Sequence, residues 1–159
     1  AAVSLCFYPD LNNDVILPLI LRNEYNGVHS NQISLPGGKK EYDDSDLIET
    51  SKRETFEEIG IIKENMNFQF KLTDIYIPPS NFLVSPYIFI IENTPLLNPN
   101  RYEVVKVIKP KLTSLLNLNI QYGYINEKKI ECPFFLIENH IVWGATAMIL
   151  NEFLSLFNQ

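Results

Sequence analysis

The chain contains little cysteine, little histidine and no excess of positive charge. Cys6 and Cys132 are the only cysteines among 159 residues, which is too few for a disulfide scaffold and typical of a reducing compartment. The net charge of −6 argues against nucleic acid as a partner, because binding a phosphate backbone requires a basic face. No apolar run is long enough to span a bilayer, and the N-terminus lacks the pattern of a signal peptide. These absences predict a cytoplasmic protein that binds neither nucleic acid nor membrane.

The overall composition is ordinary for one globular domain. Hydrophobic residues make up 46% of the chain and charged residues 20%, which supports a real core, and we expect a single domain over residues 1–159. Segments typical of strands are interspersed with helical segments, and this order predicts a mixed sheet that is covered on both faces. The predicted strands are 1–7, 15–21, 32–35, 68–77, 87–91, 104–108, 122–125 and 130–137; the predicted helices are 47–59, 112–116 and 145–157; residues 80–86 are predicted as a loop.

The segment 35–60, LPGGKKEYDDSDLIETSKRETFEEIG, contains the strongest functional signal. Glu54, Glu57 and Glu58 lie at positions i, i+3 and i+4 of the predicted helix, so their carboxylates share one face. Like charges at these spacings repel, and Arg53 can neutralise only part of that charge. A hard divalent cation such as Mg²⁺ or Mn²⁺ would suit the face, because such ions take oxygen ligands. The alternative is a charged helix face that is simply solvated.

Signals at both ends of this segment favour the binding interpretation. Asp46 with Glu49 resembles a capping box at the helix start, and Gly60 suits the left-handed conformation that ends a helix. Upstream, Gly37 and Gly38 allow the backbone to turn tightly and to approach a ligand closely. The pattern therefore predicts a glycine turn placed at a fixed distance from an acidic helix face.

These residues resemble a known family motif. Gly38, five residues, Asp44, eight residues and then RETFEEIGI at 53–61 resemble the Nudix box. Two departures, Asp44 in place of the usual Glu and a gap of eight residues rather than seven, are shared with the coenzyme A pyrophosphatase branch of that family. The branch also has an upstream Arg and His, which Arg22 and His29 match.

The resemblance extends along nearly the whole chain. The run NQISLPGG at 31–38 is similar to the upstream signature of the branch, although Asn23 and Asn31 replace the usual Ser and Gly and Leu35 replaces Phe. Residues 142–147, VWGATA, are similar to the segment that opens the last helix of the family. Because family members usually have residues before this point, we expect that an N-terminal segment is missing from the sequence.

The resemblance implies an α/β/α sandwich with a mixed β-sheet and a metal-dependent pyrophosphohydrolase. The implied reaction is hydrolysis of the diphosphate of coenzyme A or an acyl-coenzyme A, with Mg²⁺ or Mn²⁺ as the cofactor, giving 3′,5′-ADP and (acyl-)4′-phosphopantetheine. The implied site residues are Glu54, Glu57, Glu58 and the backbone of Gly38 as metal ligands; Arg53 and Glu103 as further catalytic residues, with Arg53 holding a glutamate in place; and Arg22, His29, Gly37 and Gly38 as substrate-binding residues.

Several alternatives stay open at this point. The same acidic helix would serve a Nudix hydrolase for ADP-ribose, a dinucleotide or a nucleoside triphosphate, or a domain that binds a nucleotide without cleaving it. Asp44 could bind an outer cation or only solvate its loop, and Glu103 could be a solvated side chain. The 3′-phosphate of coenzyme A requires a basic partner, for which Arg22, Lys39, Lys40 and Arg101 are candidates. The oligomeric state is also open, with a homodimer among the alternatives.

The remaining interpretations concern single side chains. His29 is alternatively a loop residue that bonds only to the backbone. Asn81 and Phe82 could offer a hydrogen bond and a stacking ring to a base, or could only pack their loop. Trp143 is predicted as a core residue.

Overall fold

The computed structural model describes residues 1–23, 32–125 and 130–158, so the predictions made for His29 and Asn31 lie outside the described residues. Within these ranges, no helix combines the length and apolar character needed to cross a membrane. In chain order the elements are β1 (Ala2–Pro9), β2 (Val15–Ile16), β3 (Leu19–Arg22), β4 (Ile33–Ser34), β5 (Gly37–Gly38), α1 (Leu47–Ile59), β6 (Asn67–Lys71), β7 (Ile75–Ile77), β8 (Phe82–Ile90), β9 (Val104–Ile108), α2 (Leu112–Leu116), β10 (Gln121–Ile125), β11 (Ile130–Ile137), β12 (His140–Trp143) and α3 (Gly144–Ser155).

The largest sheet is mixed and has β1 near its centre. Strand β1 runs parallel to β8, from the pair Ala2 and Ser85 to the pair Phe7 and Ile90, and antiparallel to β2 and β5. Strands β6 and β7 extend the sheet by pairing antiparallel with β8. Two three-stranded sheets, β4-β3-β9 and β10-β11-β12, complete the fold.

The alternation of side chains along β1 builds a core on each face of the sheet. Leu5 and Phe7 point into the cluster that includes α3, where the rings of Phe7 and Phe153 stack with their centroids 4.8 Å apart. Ala2 and Cys6 point to the opposite cluster, which includes the end of α1. Because successive residues of a strand face opposite sides, one strand anchors both helices, and the predicted α/β/α arrangement with a mixed sheet is confirmed.

Helix α1 lies close to β1 because the residues between them are small and satisfy one another. The Ser4 hydroxyl donates to the Ser51 carbonyl (3.1 Å) and accepts from the Thr55 hydroxyl (2.9 Å), and all three residues are buried. Both predicted helix ends are confirmed: Asp46 accepts from the Glu49 N–H (2.8 Å), and Gly60 has a φ of 79°. The helix that carries the glutamates is therefore held rigidly against the central strand.

The predictions for residues 68–86 are partly wrong. The single predicted strand is two strands, β6 and β7, which are separated by residues 72–74. The predicted loop at 80–86 mostly belongs to the long strand β8, although Pro86 lies inside it. Proline donates no hydrogen bond, but the Pro86 carbonyl accepts from the Leu72 N–H (3.0 Å), so the strand continues through this position.

Two other strand predictions need correction. The predicted strand 15–21 is divided into β2 and β3 around Pro18, in agreement with the poor fit of proline to a ladder. Strand β12 was not predicted, because the turn that connects it to β11 consists of Glu138 and Asn139 with φ of 47° and 66°. Such a turn usually contains glycine, and Glu138 gave no signal for it.

Candidate active site

The glycine turn is built into the edge of the sheet next to α1. Gly37 and Gly38 form β5 and pair with Val3 and Ala2 at the start of β1. A Cβ atom on Gly37, whose φ is 155°, would overlap the Ala2 carbonyl oxygen, and one on Gly38 would overlap the Glu54 carboxylate. Only glycines allow this turn to lie directly against both the central strand and the glutamate face.

Glu58 is the most enclosed of the three glutamates, with 1% of its surface exposed. Its Oε1 accepts from Arg22 Nη1 (2.8 Å) and its Oε2 accepts from the Gly37 N–H (2.8 Å). Burial raises the pKa of Glu58 to about 7, while Arg22 and the Gly37 N–H oppose that rise. The contacts therefore hold this carboxylate in one orientation beside the glycine turn.

Arg22 connects the strand β3 to this site. Besides its bond to Glu58, its Nη2 donates to the Gly37 carbonyl (3.0 Å) and its Nε donates to the Ser34 hydroxyl (3.0 Å). Arg22 also lines the cavity described below. Its contact with a substrate stays a prediction. No local pattern predicted that Arg22 would pair with Glu58, which is 36 positions away.

Arg53 organises the outer part of the acidic face. Its Nη1 lies 3.0 Å from Glu57 Oε2 and 3.3 Å from Glu54 Oε1, and its Nη2 donates to the Lys39 carbonyl (2.9 Å). The ion pair with Glu57 is the kind of contact by which Arg53 would hold a glutamate in place. Because Arg53 bonds both glutamates and the chain just after Gly38, it couples the helix to the glycine turn.

Asp44 fixes the position of the Arg53 guanidinium. Its two carboxylate oxygens accept from Arg53 Nε and Nη2, both at 2.9 Å, and Oδ2 also accepts from the Thr50 hydroxyl (2.9 Å). The bonds from Arg53 keep the pKa of Asp44 well below its usual range. The structure therefore places Asp44 as a buried partner of Arg53, a contact that neither sequence interpretation named.

The charge around Glu54 is predominantly negative. Burial raises the pKa of Glu54, Arg53 opposes that effect, and the neighbouring Glu57 and Glu103 raise the pKa further. Glu103 lies in the exposed turn before β9, where it accepts from Asn100 Nδ2 (2.9 Å). The structure thus brings Glu103 within electrostatic range of the glutamate face, although it lies 49 residues after Glu54.

This donor set suits a hard divalent cation. Carboxylates and a backbone carbonyl at Gly38 are the oxygen ligands that Mg²⁺ and Mn²⁺ prefer, and the like charges acting on Glu54 favour an added cation. In residues 1–23, 32–125 and 130–158, no three acidic, His or Cys side chains already converge on one point. The residues therefore fit the ion by chemistry and position, without a closed cage of carboxylates.

A mostly apolar cavity of about 510 Å³ adjoins this face. Arg22, Gly37 and Gly38 belong both to its wall and to the glutamate site. The wall also includes Phe82, whose stacking on a base stays a prediction. The Asn81 amide oxygen accepts from the Tyr76 hydroxyl (2.8 Å). Other members of the wall are Val3, Ile33, Leu35, Ile75, Tyr76, Pro79, Trp143, Thr146 and Met148.

Trp143 was predicted as a core residue, and the structure instead places it half-buried in the cavity wall at the junction of β12 and α3. Its position in the VWGATA segment was the available signal. A tryptophan in this wall supplies a large flat surface to a bound molecule.

Comparisons with known proteins bear on the family to which this chain belongs. No protein-family model matches the chain. The structure is similar to the crystal structure of a MutT protein from Methanosarcina mazei Go1, with a TM-score of 0.61, 17% identity and coverage of 99% of this chain and 94% of that one. The fold and curated sequence relatives together show that the chain belongs to the Nudix hydrolase superfamily. The predicted family resemblance is thereby confirmed.

Two of these curated relatives show how much of each protein the similarity covers. The mitochondrial coenzyme A diphosphatase NUDT8 of Mus musculus is 35% identical over 130 residues, covering 77% of this chain and 61% of that protein. The uncharacterized Nudix hydrolase NudL of Pectobacterium atrosepticum is 30% identical over 131 residues, covering 78% of this chain and 66% of that protein. The chain thus spans somewhat less than two thirds of the length of each.

Proposed function

We propose that this chain hydrolyses the diphosphate bond of coenzyme A or an acyl-coenzyme A and releases 3′,5′-ADP and (acyl-)4′-phosphopantetheine. The observation that carries the proposal is the shared wall of Gly37, Gly38 and Arg22, which joins a glutamate face to a large apolar cavity. A diphosphate at the face would leave the organic part of its substrate in the cavity. The name of the mouse relative supports coenzyme A as the substrate.

Nudix hydrolases generally use divalent metal ions, and we propose Mg²⁺ or Mn²⁺ here. Glu54, Glu57 and Glu58, with the Gly38 carbonyl, would hold the ion. When bound, the ion offsets the charge of the phosphate oxygens and makes water a better nucleophile at neutral pH.

The positions of the remaining side chains define their proposed roles. Arg22 orients Glu58 and Arg53 orients Glu57, so both arginines fix carboxylates before the substrate arrives. Glu103 is exposed and lies near Glu54, and we propose that it takes the proton of the attacking water. That water forms a new bond to one phosphorus while the bond from this phosphorus to the bridging oxygen breaks.

The test is product analysis after incubation with coenzyme A and Mg²⁺ or Mn²⁺, with ADP-ribose, a dinucleotide and a nucleoside triphosphate in parallel. We expect preferential release of 3′,5′-ADP from coenzyme A. If the other compounds are cleaved and coenzyme A is not, the proposed substrate is wrong. Tight binding of any of these nucleotides without cleavage would indicate a nucleotide-binding domain.

Two variants test whether cleavage requires the glutamate face or only the overall negative charge of the protein. Glu54→Gln should reduce the rate of cleavage by at least roughly 100-fold, because the substitution removes a charged ligand of the proposed ion. Glu64→Gln is the matched control, since Glu64 is an exposed acid in the short turn after α1. Equal rates in both variants at saturating Mg²⁺ would contradict the assignment.

The compartment and the oligomeric state stay predictions. The sequence predicts a cytoplasmic protein, whereas the name of the mouse relative places that protein in mitochondria. Cell fractionation with marker proteins checks the location, and light scattering of the purified chain checks for a homodimer.

A further inference from the structure

Two cationic side chains of described residues line the cavity, those of Arg22 and Lys39. Arg22 already donates to Glu58, the Gly37 carbonyl and Ser34. Its positive charge is therefore largely neutralised by a carboxylate that is almost fully buried.

Lys39 differs from Arg22 in having no acidic partner in the part of the chain that the structure describes. Among the described residues, no carboxylate lies within 4.0 Å of its ammonium group. Its Nζ instead lies 4.8 Å from the centroid of the Phe82 ring, and Phe82 also belongs to the cavity wall. A cation over an aromatic face is attracted by the ring, so Phe82 holds the ammonium at the cavity with its charge still available.

The backbone of Lys39 is fixed as well. Its carbonyl accepts from Arg53 Nη2 (2.9 Å), and it directly follows Gly38. The side chain thus starts beside the glutamate face and ends over Phe82, at the start of β8. A phosphate group there would be separate from the diphosphate held at the glutamates.

We propose that Lys39 binds the 3′-phosphate of coenzyme A and that Phe82 positions it for this contact. The proposal rests on the proposed function, because coenzyme A carries a phosphate monoester in addition to its diphosphate. A phosphate monoester has a charge of about −1.5 to −2 at pH 7 and three strong acceptor oxygens, which suits an ammonium with its three donors. Lys39 is thereby the residue that distinguishes coenzyme A from substrates without this phosphate.

The test compares coenzyme A with dephospho-coenzyme A, which differs from it only by the absence of the 3′-phosphate. For the unmodified protein we expect kcat/KM to be roughly 10-fold higher for coenzyme A, since hydrogen bonds to charged groups contribute about this factor. Lys39→Gln should bring the ratio of the two values close to one. In the unmodified protein the preference should also fall as salt rises from 50 to 500 mM, because added ions screen an exposed charge.

Lys40→Gln is the matched control. Lys40 is the next residue, is exposed and does not line the cavity, so this variant should keep the preference for coenzyme A. An equal loss of kcat/KM for both substrates in Lys39→Gln would overturn the proposal, because Lys39 would then act on the diphosphate. An unchanged preference in Lys39→Gln would overturn it as well.

A binding measurement separates failure of this proposal from failure of the proposed function. Calorimetry without metal compares 3′,5′-ADP with 5′-AMP, and we expect the unmodified protein to bind 3′,5′-ADP more tightly and Lys39→Gln to bind both equally. If the unmodified protein cleaves neither coenzyme A nor dephospho-coenzyme A, the proposed function fails and this binding result alone decides the role of Lys39. Equal binding of the two nucleotides by the unmodified protein would then overturn that role.

Discussion

Replacing Arg22 by alanine removes the cation that holds the buried carboxylate of Glu58. Arg22 Nη1 lies 2.8 Å from Glu58 Oε1, the Glu58 side chain is 1% exposed and the Arg22 side chain is 19% exposed. Among the described residues, the variant therefore leaves Glu58 with the Gly37 N–H as its hydrogen-bond donor. We expect Arg22→Ala to destabilise the protein and to lower kcat, because Glu58 loses its fixed orientation.

The magnitude follows from the burial of the pair. Removing one partner of a buried ion pair costs about 3–5 kcal/mol, and we expect about 2–3 kcal/mol here because water can reach the site that Arg22 vacates. For a chain of 159 residues, this loss lowers the melting temperature by roughly 5–10 °C.

Urea unfolding in the presence of EDTA measures this change without a contribution from a bound divalent ion. The single variants Arg22→Ala and Glu58→Gln and the double variant together give the coupling between the two side chains. We expect a coupling free energy of about 2 kcal/mol, since the pair is short and mostly buried. Arg101→Ala is the control, because Arg101 is exposed and its loss should change the free energy of unfolding by less than about 0.5 kcal/mol.

Two results would refute this reasoning. A coupling free energy below about 0.5 kcal/mol would mean that Arg22 and Glu58 act independently. Equal destabilisation by Arg22→Ala and Arg101→Ala would mean that the effect is a general loss of positive charge, in a protein whose net charge is already −6.

Three further substitutions test residues that position the acidic helix and its glutamates. Asp44→Asn should destabilise the protein at neutral pH; because the folded-state pKa of Asp44 is lowered, the difference in free energy of unfolding in urea titrations should persist above about pH 4 and disappear as the pH falls further. The control Asp43→Asn, at an exposed neighbour, should change the free energy of unfolding at neutral pH by less than about 0.5 kcal/mol. Gly38→Ala should reduce kcat by about 100-fold, since its Cβ would displace the Glu54 carboxylate, and normal kinetics would contradict that contact. Asp46→Ala should lower the free energy of unfolding by about 1 kcal/mol through loss of the helix cap, as measured by thermal denaturation, and an unchanged melting temperature would exclude a capping role.

The acidic helix could be predicted in detail because its determinants are local. The capping residues Asp46 and Gly60 lie at its ends, and Arg53 and Glu57 are one turn apart. Helical spacing alone brings such side chains together. The pairing of Asp44 with Arg53 was not predicted, because the two side chains meet only after the acidic loop folds back onto the helix.

The sheet was predicted less accurately because strand pairing depends on distant segments. Pro86 indicated a loop, yet β8 is stabilised on one side by β1 and on the other by β6. Tertiary context of this kind overrides local propensity.

The sequence by itself determined that this chain has a Nudix box, a capped acidic helix and a glycine turn at a fixed distance from it. Only the tertiary structure decided how those parts are completed: Arg22 pairs with Glu58, Lys39 lies over Phe82, and Trp143 joins the cavity wall. The physical reason is the distance along the chain. Helical periodicity places neighbours within a turn, whereas contacts between strands and helices that are tens of residues apart exist only after the two cores on either face of β1 have packed.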